Sequence, residues 1–278
     1  MDVSAVSQTF SKVREGNPLI HNITNIVVAN FTANGLLAIG ASPIMADAVE
    51  EVADMAKVAD ALVLNMGTID ETKVKAMIIA GQSANRHGVP VIFDPVGAGA
   101  TPYRTEMAKK ILREVKVSLM RSNAAEAANA TGRHWAIKGV DSVQGQGDPQ
   151  QLAETVAREF GILTVISGET DIITDGSRTC LVENGHPLLT KVTGGGCLLT
   201  SVIGAFLAVE SDYFTAAYSA VSAYGAAAEK AVEIVGSEKP GSFQIEFINQ
   251  LALVSANDLT KRARFNVIHT KDSENDTI

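Results

Sequence analysis

Ala61-Leu62-Val63-Leu64-Asn65 is apolar up to its last residue, and Pro90-Val91-Ile92-Phe93 repeats the pattern just before Asp94. A strand with water on one face alternates polar and apolar residues. These runs do not, so both of their faces are covered. Just upstream, Val49, Val52, Met55, Ala56 and Val58 share one helical face, and Glu50, Glu51, Asp54 and Lys57 share the other. The same alternation continues outward. Further apolar runs lie at 18–21, 43–45, 117–120 and 162–166, and Met107, Ala108, Ile111, Leu112 and Val115 face inward opposite Lys109, Lys110, Arg113 and Glu114. Apolar strands separated by amphipathic helices predict an α/β protein with a mostly parallel central sheet flanked by helices on both faces.

After Gly168 the pattern changes. Segments 171–174 and 179–183 flank Asp175-Gly176, a hairpin signal that predicts small antiparallel strands at one edge of the sheet. Segments 198–209, 214–235 and 242–259 read as three Ala-rich helices, the last two separated by a break at 236–241. From Asn266 periodicity is lost, so one domain is expected over 1–265 with a disordered tail over 266–278.

Composition narrows the function. With 23 Lys and Arg against 31 Asp and Glu the net charge is −8, and no basic run occurs, which argues against nucleic acid. The uncharged stretch worth testing as a membrane span, 192–209, opens near three glycines and is shorter than the roughly 20 apolar residues a span needs. The N-terminus lacks a basic segment followed by an apolar one, and the two cysteines, Cys180 and Cys197, form neither a disulfide framework nor a metal motif. A cytoplasmic protein is expected.

In a parallel α/β sheet ligands bind where the strands end. Those ends carry His21-Asn22-Ile23-Thr24-Asn25, Met45-Ala46-Asp47, Asn65-Met66-Gly67-Thr68, Asp94 with Gly97-Ala98-Gly99, Arg121-Ser122-Asn123 with Glu126, and Ser167-Gly168-Glu169. Polar groups thus gather at one rim. Thr193-Gly194-Gly195-Gly196-Cys197 runs directly into a helix. Three glycines let backbone amides crowd a ligand, and a helix start favours an anion, so Gly194, Gly195 and Gly196 read as an anion hole. At that helix start the Cys197 thiol is expected to shift toward thiolate and to act as a base, a hydroxyl-positioning group or a nucleophile. None of the five histidines stands at a cysteine-hydrolase spacing from it.

Asp94, Asn123 and Glu126 supply oxygen ligands of the kind Mg²⁺ prefers. The bland alternative is that Asn123 caps a helix and Glu126 completes a capping box. No P-loop motif occurs, and Gly97-Ala98-Gly99 departs from the dinucleotide fingerprint at its last position.

Asn123-x-x-Glu126 together with a glycine-rich loop opening a late helix resembles the ribokinase superfamily. Within it, the stretches 18–25, 42–46, 94–99, 121–126 and 194–201 resemble the hydroxyethylthiazole kinases of thiamine salvage, in the right order, with cysteine at 197 where most of the superfamily has aspartate. The resemblance implies a ribokinase-like fold. It implies transfer of the ATP γ-phosphate to the primary alcohol of 4-methyl-5-(2-hydroxyethyl)thiazole with Mg²⁺, by a homotrimer whose thiazole pockets lie between subunits. It further implies Cys197 as catalytic and Met45 and Gly194 as substrate contacts, with Arg121 and Ser167 at the ATP positions and Asp94 and Glu126 in the metal and phosphate region. Asn25, Gly67 and Thr68 are added as substrate-binding residues, and Asn123 as ATP-binding, from their strand-end positions. One departure is Gly195, where the family usually has Thr; another is Ser122, where it often has Gly. A kinase acting on another small alcohol such as hydroxymethylpyrimidine, a non-catalytic nucleotide-binding regulator and a cysteine hydrolase remain as alternatives.

Overall fold

The computed structural model describes residues 3–133 and 147–269. The chain opens with α1 (Ser4–Gly16), β1 (Leu19–Ile23), α2 (Ala29–Ile39), β2 (Ser42–Ile44), α3 (Val52–Val58) and β3 (Ala61–Asn65). It continues through α4 (Glu71–His87), β4 (Val91–Asp94), α5 (Pro102–Glu114), β5 (Leu119–Ser122), α6 (Ala124–Ala130), α7 (Pro149–Phe160) and β6 (Leu163–Ile166). A hairpin, β7 (Asp171–Thr174) and β8 (Arg178–Val182), precedes a 3-10 turn at Pro187–Lys191. The last elements are α8 (Gly195–Leu207), α9 (Tyr213–Val235), α10 (Pro240–Leu253), α11 (Ala256–Arg262) and β9 (Phe265–His269).

Among the described residues the strands form one sheet in the order β2-β1-β3-β4-β5-β6-β7-β8-β9. It is parallel from β2 to β6 and antiparallel from β6 to β9. Side chains along a strand alternate between faces, and the apolar runs use both. Ala61 and Val63 enter a core packed with α1, α2, α8, α9, α10 and α11, whereas Leu62 and Leu64 enter a core packed with α3, α4 and α5. No helix among the described residues is long and apolar enough to cross a membrane.

Two expectations need correction. Residues 266–269, read as tail, form most of β9, whose Phe265–His269 backbone pairs with β8 in reverse register; residues 270–278 lie outside the described residues. Phe-Asn-Val-Ile-His is too short for a periodic signal to separate it from the polar tail that follows. The last predicted helix is two helices. Ser255 ends the first by capping the second, with its hydroxyl accepting from Asp258 N–H (3.1 Å) and the Asp258 carboxylate returning to Ser255 N–H (2.9 Å).

Candidate active site

Register builds the floor of the site. β3 and β4 pair with Asn65 opposite Asp94. Leu64 and Phe93 point into one core, so alternation turns the next residue of each strand to the opposite face, beneath α8. There Asn65 Nδ2 donates to Asp94 Oδ2 at 2.9 Å, and Thr200 Oγ1, from α8, donates to the same oxygen at 2.8 Å. Asp94 is wholly buried, and its Oδ1 has no partner among the described residues. Burial pushes the Asp94 carboxyl up to about 7. The Arg121 guanidinium and the two hydrogen bonds oppose that rise, and Glu126 adds to it.

Cys197 stands at the edge of this network. Asn25 Nδ2 donates to Asn65 Oδ1 at 2.9 Å and approaches Cys197 Sγ at 3.6 Å. Gly67 makes room for it, since a Cβ there would lie 2.4 Å from Asn25 Nδ2. Thr68 Oγ1 accepts the Ile26 amide at 3.3 Å and so ties down the same loop. The thiol departs from its expected thiolate character: burial and the nearby Asp94 push Cys197 up to about 11, outweighing the Asn65 and Asn25 amides and Arg121. Cys197 therefore carries a proton near neutral pH. With amide partners and a protonated thiol, it is poorly built as a hydrolase nucleophile.

The glycine triplet lies against this group. Gly194 caps α8 at φ 92°, left-handed backbone that favours glycine. α8 starts three residues earlier than expected, so Cys197 sits in its first turn. The first helical bond runs from Leu198 N–H to Gly194 O (2.8 Å), leaving the amides of Gly195, Gly196 and Cys197 without helical acceptors. Arg121, on β5, lies against the same turn: a Cβ on Gly196 would lie 2.5 Å from Arg121 Nη1. That Nη1 is 3.9 Å from Asp94 Oδ2, while Nη2 donates to Ser167 Oγ at 2.6 Å and the buried Nε has no partner among the described residues. Free amides, a fixed guanidinium and an orphaned N–H on one side, with an orphaned carboxylate oxygen on the other, make a cradle for an anion bridged to a cation.

Asn123 and Glu126 form the capping box that was the alternative to their ligand roles. Asn123 Oδ1 accepts Glu126 N–H at 2.8 Å, and Glu126 Oε2 accepts Asn123 N–H at 3.2 Å, a complete capping box on α6. Glu126 Oε1 also accepts Gly97 N–H at 2.8 Å, linking the loop after β4 to α6. Among the described residues no three His, Cys, Asp or Glu side chains gather as a metal cluster. The residues fit Mg²⁺ only in the form it takes with nucleotides, one or two carboxylates completed by waters and phosphates. Asp94 Oδ1 is the free donor, and Glu126 keeps lone pairs beyond its two amide bonds. Met45 is half-buried after β2, the outermost strand, beside a loop fixed by His21 Nε2 and Ala46 O at 2.8 Å. It is not part of the hydrogen-bonded group.

Asn65 and Thr200 are central but were not singled out in the sequence. Each had a signal: Asn65 ends an otherwise apolar strand, and Thr200 follows Cys197 by one helical turn.

A family model described as the hydroxyethylthiazole kinase family matches residues 10–257. The chain belongs to that family. It is similar to the structure of a hydroxyethylthiazole kinase protein from Pyrococcus horikoshii OT3 at 39% identity, with 95% of this chain and 99% of that one covered and a TM-score of 0.86. The fold extends to distant structures. A pyridoxal kinase from Staphylococcus aureus in complex with ADP matches at 15% identity, 76% and 86% coverage and TM-score 0.55. An ADP/ATP-dependent NAD(P)H-hydrate dehydratase from Bacillus subtilis matches at 18% identity, 90% and 91% coverage and TM-score 0.60. The ribokinase-like α/β architecture expected from the sequence is therefore the fold of this chain.

Proposed function

We propose that the protein transfers the γ-phosphoryl group of ATP to the primary alcohol of 4-methyl-5-(2-hydroxyethyl)thiazole. The P–O bond to ADP breaks, a P–O bond to the alcohol oxygen forms, and the hydroxyl proton is released to solvent water. Family membership supports the substrate. The observation that carries the chemistry is the stacking of Arg121 on Gly196 beside the free amides of α8, within one helical turn of Thr200 and the buried Asp94.

Phosphoryl transfer asks a protein mainly to position groups and neutralise charge. Here the amides of Gly194–Cys197 and Arg121 hold the transferring oxygens, and Ser167 holds Arg121. Asp94 and Glu126 are the residues that would hold Mg²⁺, which would supply positive charge against the phosphates. Cys197 and Asn25 orient the alcohol. A loose transition state demands little of a base, so a protonated thiol suffices where a hydrogen-bonding partner is the main need. The resemblance further supports Met45 as a thiazole contact and a homotrimer with the pocket between subunits. The exposure of Ile26 (77%) and Val27 (65%), next to Asn25, favours covering of that loop in an assembly.

A coupled ADP assay with a panel of alcohols tests the proposal. ADP release that depends on the thiazole alcohol, and is far slower with hydroxymethylpyrimidine, is expected. Nucleotide binding without turnover of either alcohol rejects it.

A further inference from the structure

Gly194-Gly195-Gly196 is the most flexible sequence the chain offers at the place where donors must be held still. Glycine roams freely in φ and ψ, whereas electrostatic stabilisation of a transferring group depends on donors fixed before it arrives. Gly195 and Gly196 form the first turn of α8, where a helix frays most easily, so bracing from outside that turn adds to what the helix supplies.

The Gly195 carbonyl accepts a hydrogen bond from Tyr224 Oη at 2.6 Å. Tyr224 lies in the middle of α9, 3% exposed, with its ring edge-on to Phe247 at 4.8 Å and 84°. Its neighbour Gly225 is pressed so closely onto Asn184 that a Cβ there would lie 2.5 Å from the Asn184 carbonyl carbon. Both contacts pack Tyr224 tightly against its surroundings. From the other side, Leu189 O sits 2.9 Å from where a Cβ on Gly195 would be. The peptide joining Gly195 to Gly196 is planar and trans, so its C=O and N–H point in opposite directions. A carbonyl fixed toward Tyr224 fixes the Gly196 amide away from it.

We propose that Tyr224 is a positioning residue for phosphoryl transfer: its hydroxyl pins the Gly195 carbonyl and thereby aims the Gly196 amide at the phosphoryl oxygens. This rests on the reading of the glycine loop as the phosphoryl site. Burial also raises the Tyr224 phenol, which keeps its donor proton throughout the working pH range. Tyr224 touches no substrate; it acts through the loop.

Tyr224→Phe keeps the ring and its packing on Phe247 and removes only the hydroxyl. The expected result is a kcat about 10-fold lower, less than the 10²–10³ typical of deleting an oxyanion donor outright. KM for the thiazole alcohol and affinity for ADP stay within about twofold, and affinity for ADP–aluminium fluoride, which mimics the transferring group, falls by a factor similar to that in kcat. Circular dichroism in assay buffer sets the folded fraction, so any loss of fold is divided out. A normalised kcat and analogue affinity equal to wild type overturn the proposal, as does equal weakening of ADP and analogue, the mark of a general structural role. Gly196→Ala, run in parallel, pushes on Arg121 itself. If it leaves kcat unchanged, the phosphoryl-site reading has failed; if it abolishes turnover while Tyr224→Phe is normal, only the role of Tyr224 has.

Discussion

Thr200 donates its hydroxyl to Asp94 Oδ2 at 2.8 Å, one turn along the helix that presents Cys197. The helix start proposed to meet the phosphoryl group therefore also grips the buried carboxylate at the end of β4. Thr200→Val keeps the shape and removes the grip. Since that hydrogen bond lowers the Asp94 carboxyl, its loss raises it, and a smaller fraction is ionised at pH 7. The acid limb of the kcat/KM profile is expected to move to higher pH, with activity at pH 7 down several-fold and partly recovered at pH 8.5. An unshifted limb would separate Asp94 from turnover.

Asp94→Asn trades activity for stability. A carboxyl raised to about 7 from an ordinary 3.8 binds its proton more tightly in the folded than in the unfolded chain. Stability is thus lost as pH rises from about 4 through 7, because the folded state must then hold an unsatisfied charge. Asparagine keeps an acceptor for Asn65 and Thr200 and carries no charge. Turnover is expected to collapse while Tm at pH 8 rises, by about 2–4 °C for each kcal/mol released. The gain should vanish at pH 4, which thermal melts at the two pH values would check.

The proposed role of Cys197 is that of a protonated thiol acting by position. Cys197→Ala is expected to lower kcat, by no more than the roughly 10²–10⁴ that a full general base contributes. Cys197→Asp, a stronger acceptor beside the Asn25 and Asn65 amides and a helix start, is expected to keep or raise turnover. A correctly folded but inactive aspartate variant would count against that role.

Gly67→Ala probes Asn25. The added carbon would lie 2.4 Å from Asn25 Nδ2, so the amide must leave Asn65 and the thiol. KM for the alcohol is expected to rise about tenfold or more with ATP affinity unchanged, measured by initial rates at saturating ATP.

The sheet and its polar rim were legible because apolar runs ending in Asn65, Asp94 and Arg121 leave few other arrangements for a chain of this composition. The glycine loop was legible because Gly-Gly-Gly before a helix has a direct physical meaning. Asn65 and Thr200 were less visible, since their importance depends on register between β3 and β4 and on the docking of α8, neither of which is local. The Cys197 thiol was misjudged for the same reason. A helix start lowers a thiol, but the burial and neighbouring carboxylate that raise it come from tertiary packing. Asn123 and Glu126 were read both as ligands and as a capping box, and the structure contains the box.

The most direct measurement is a crystal structure with ADP, Mg²⁺, aluminium fluoride and the thiazole alcohol. The fluoride group is expected between the amides of Gly194–Cys197 and Arg121, with the alcohol oxygen beside Cys197 and Asn25. A fluoride group bound elsewhere, with those amides facing water, would contradict the assignment of this helix start as the place where phosphoryl transfer occurs.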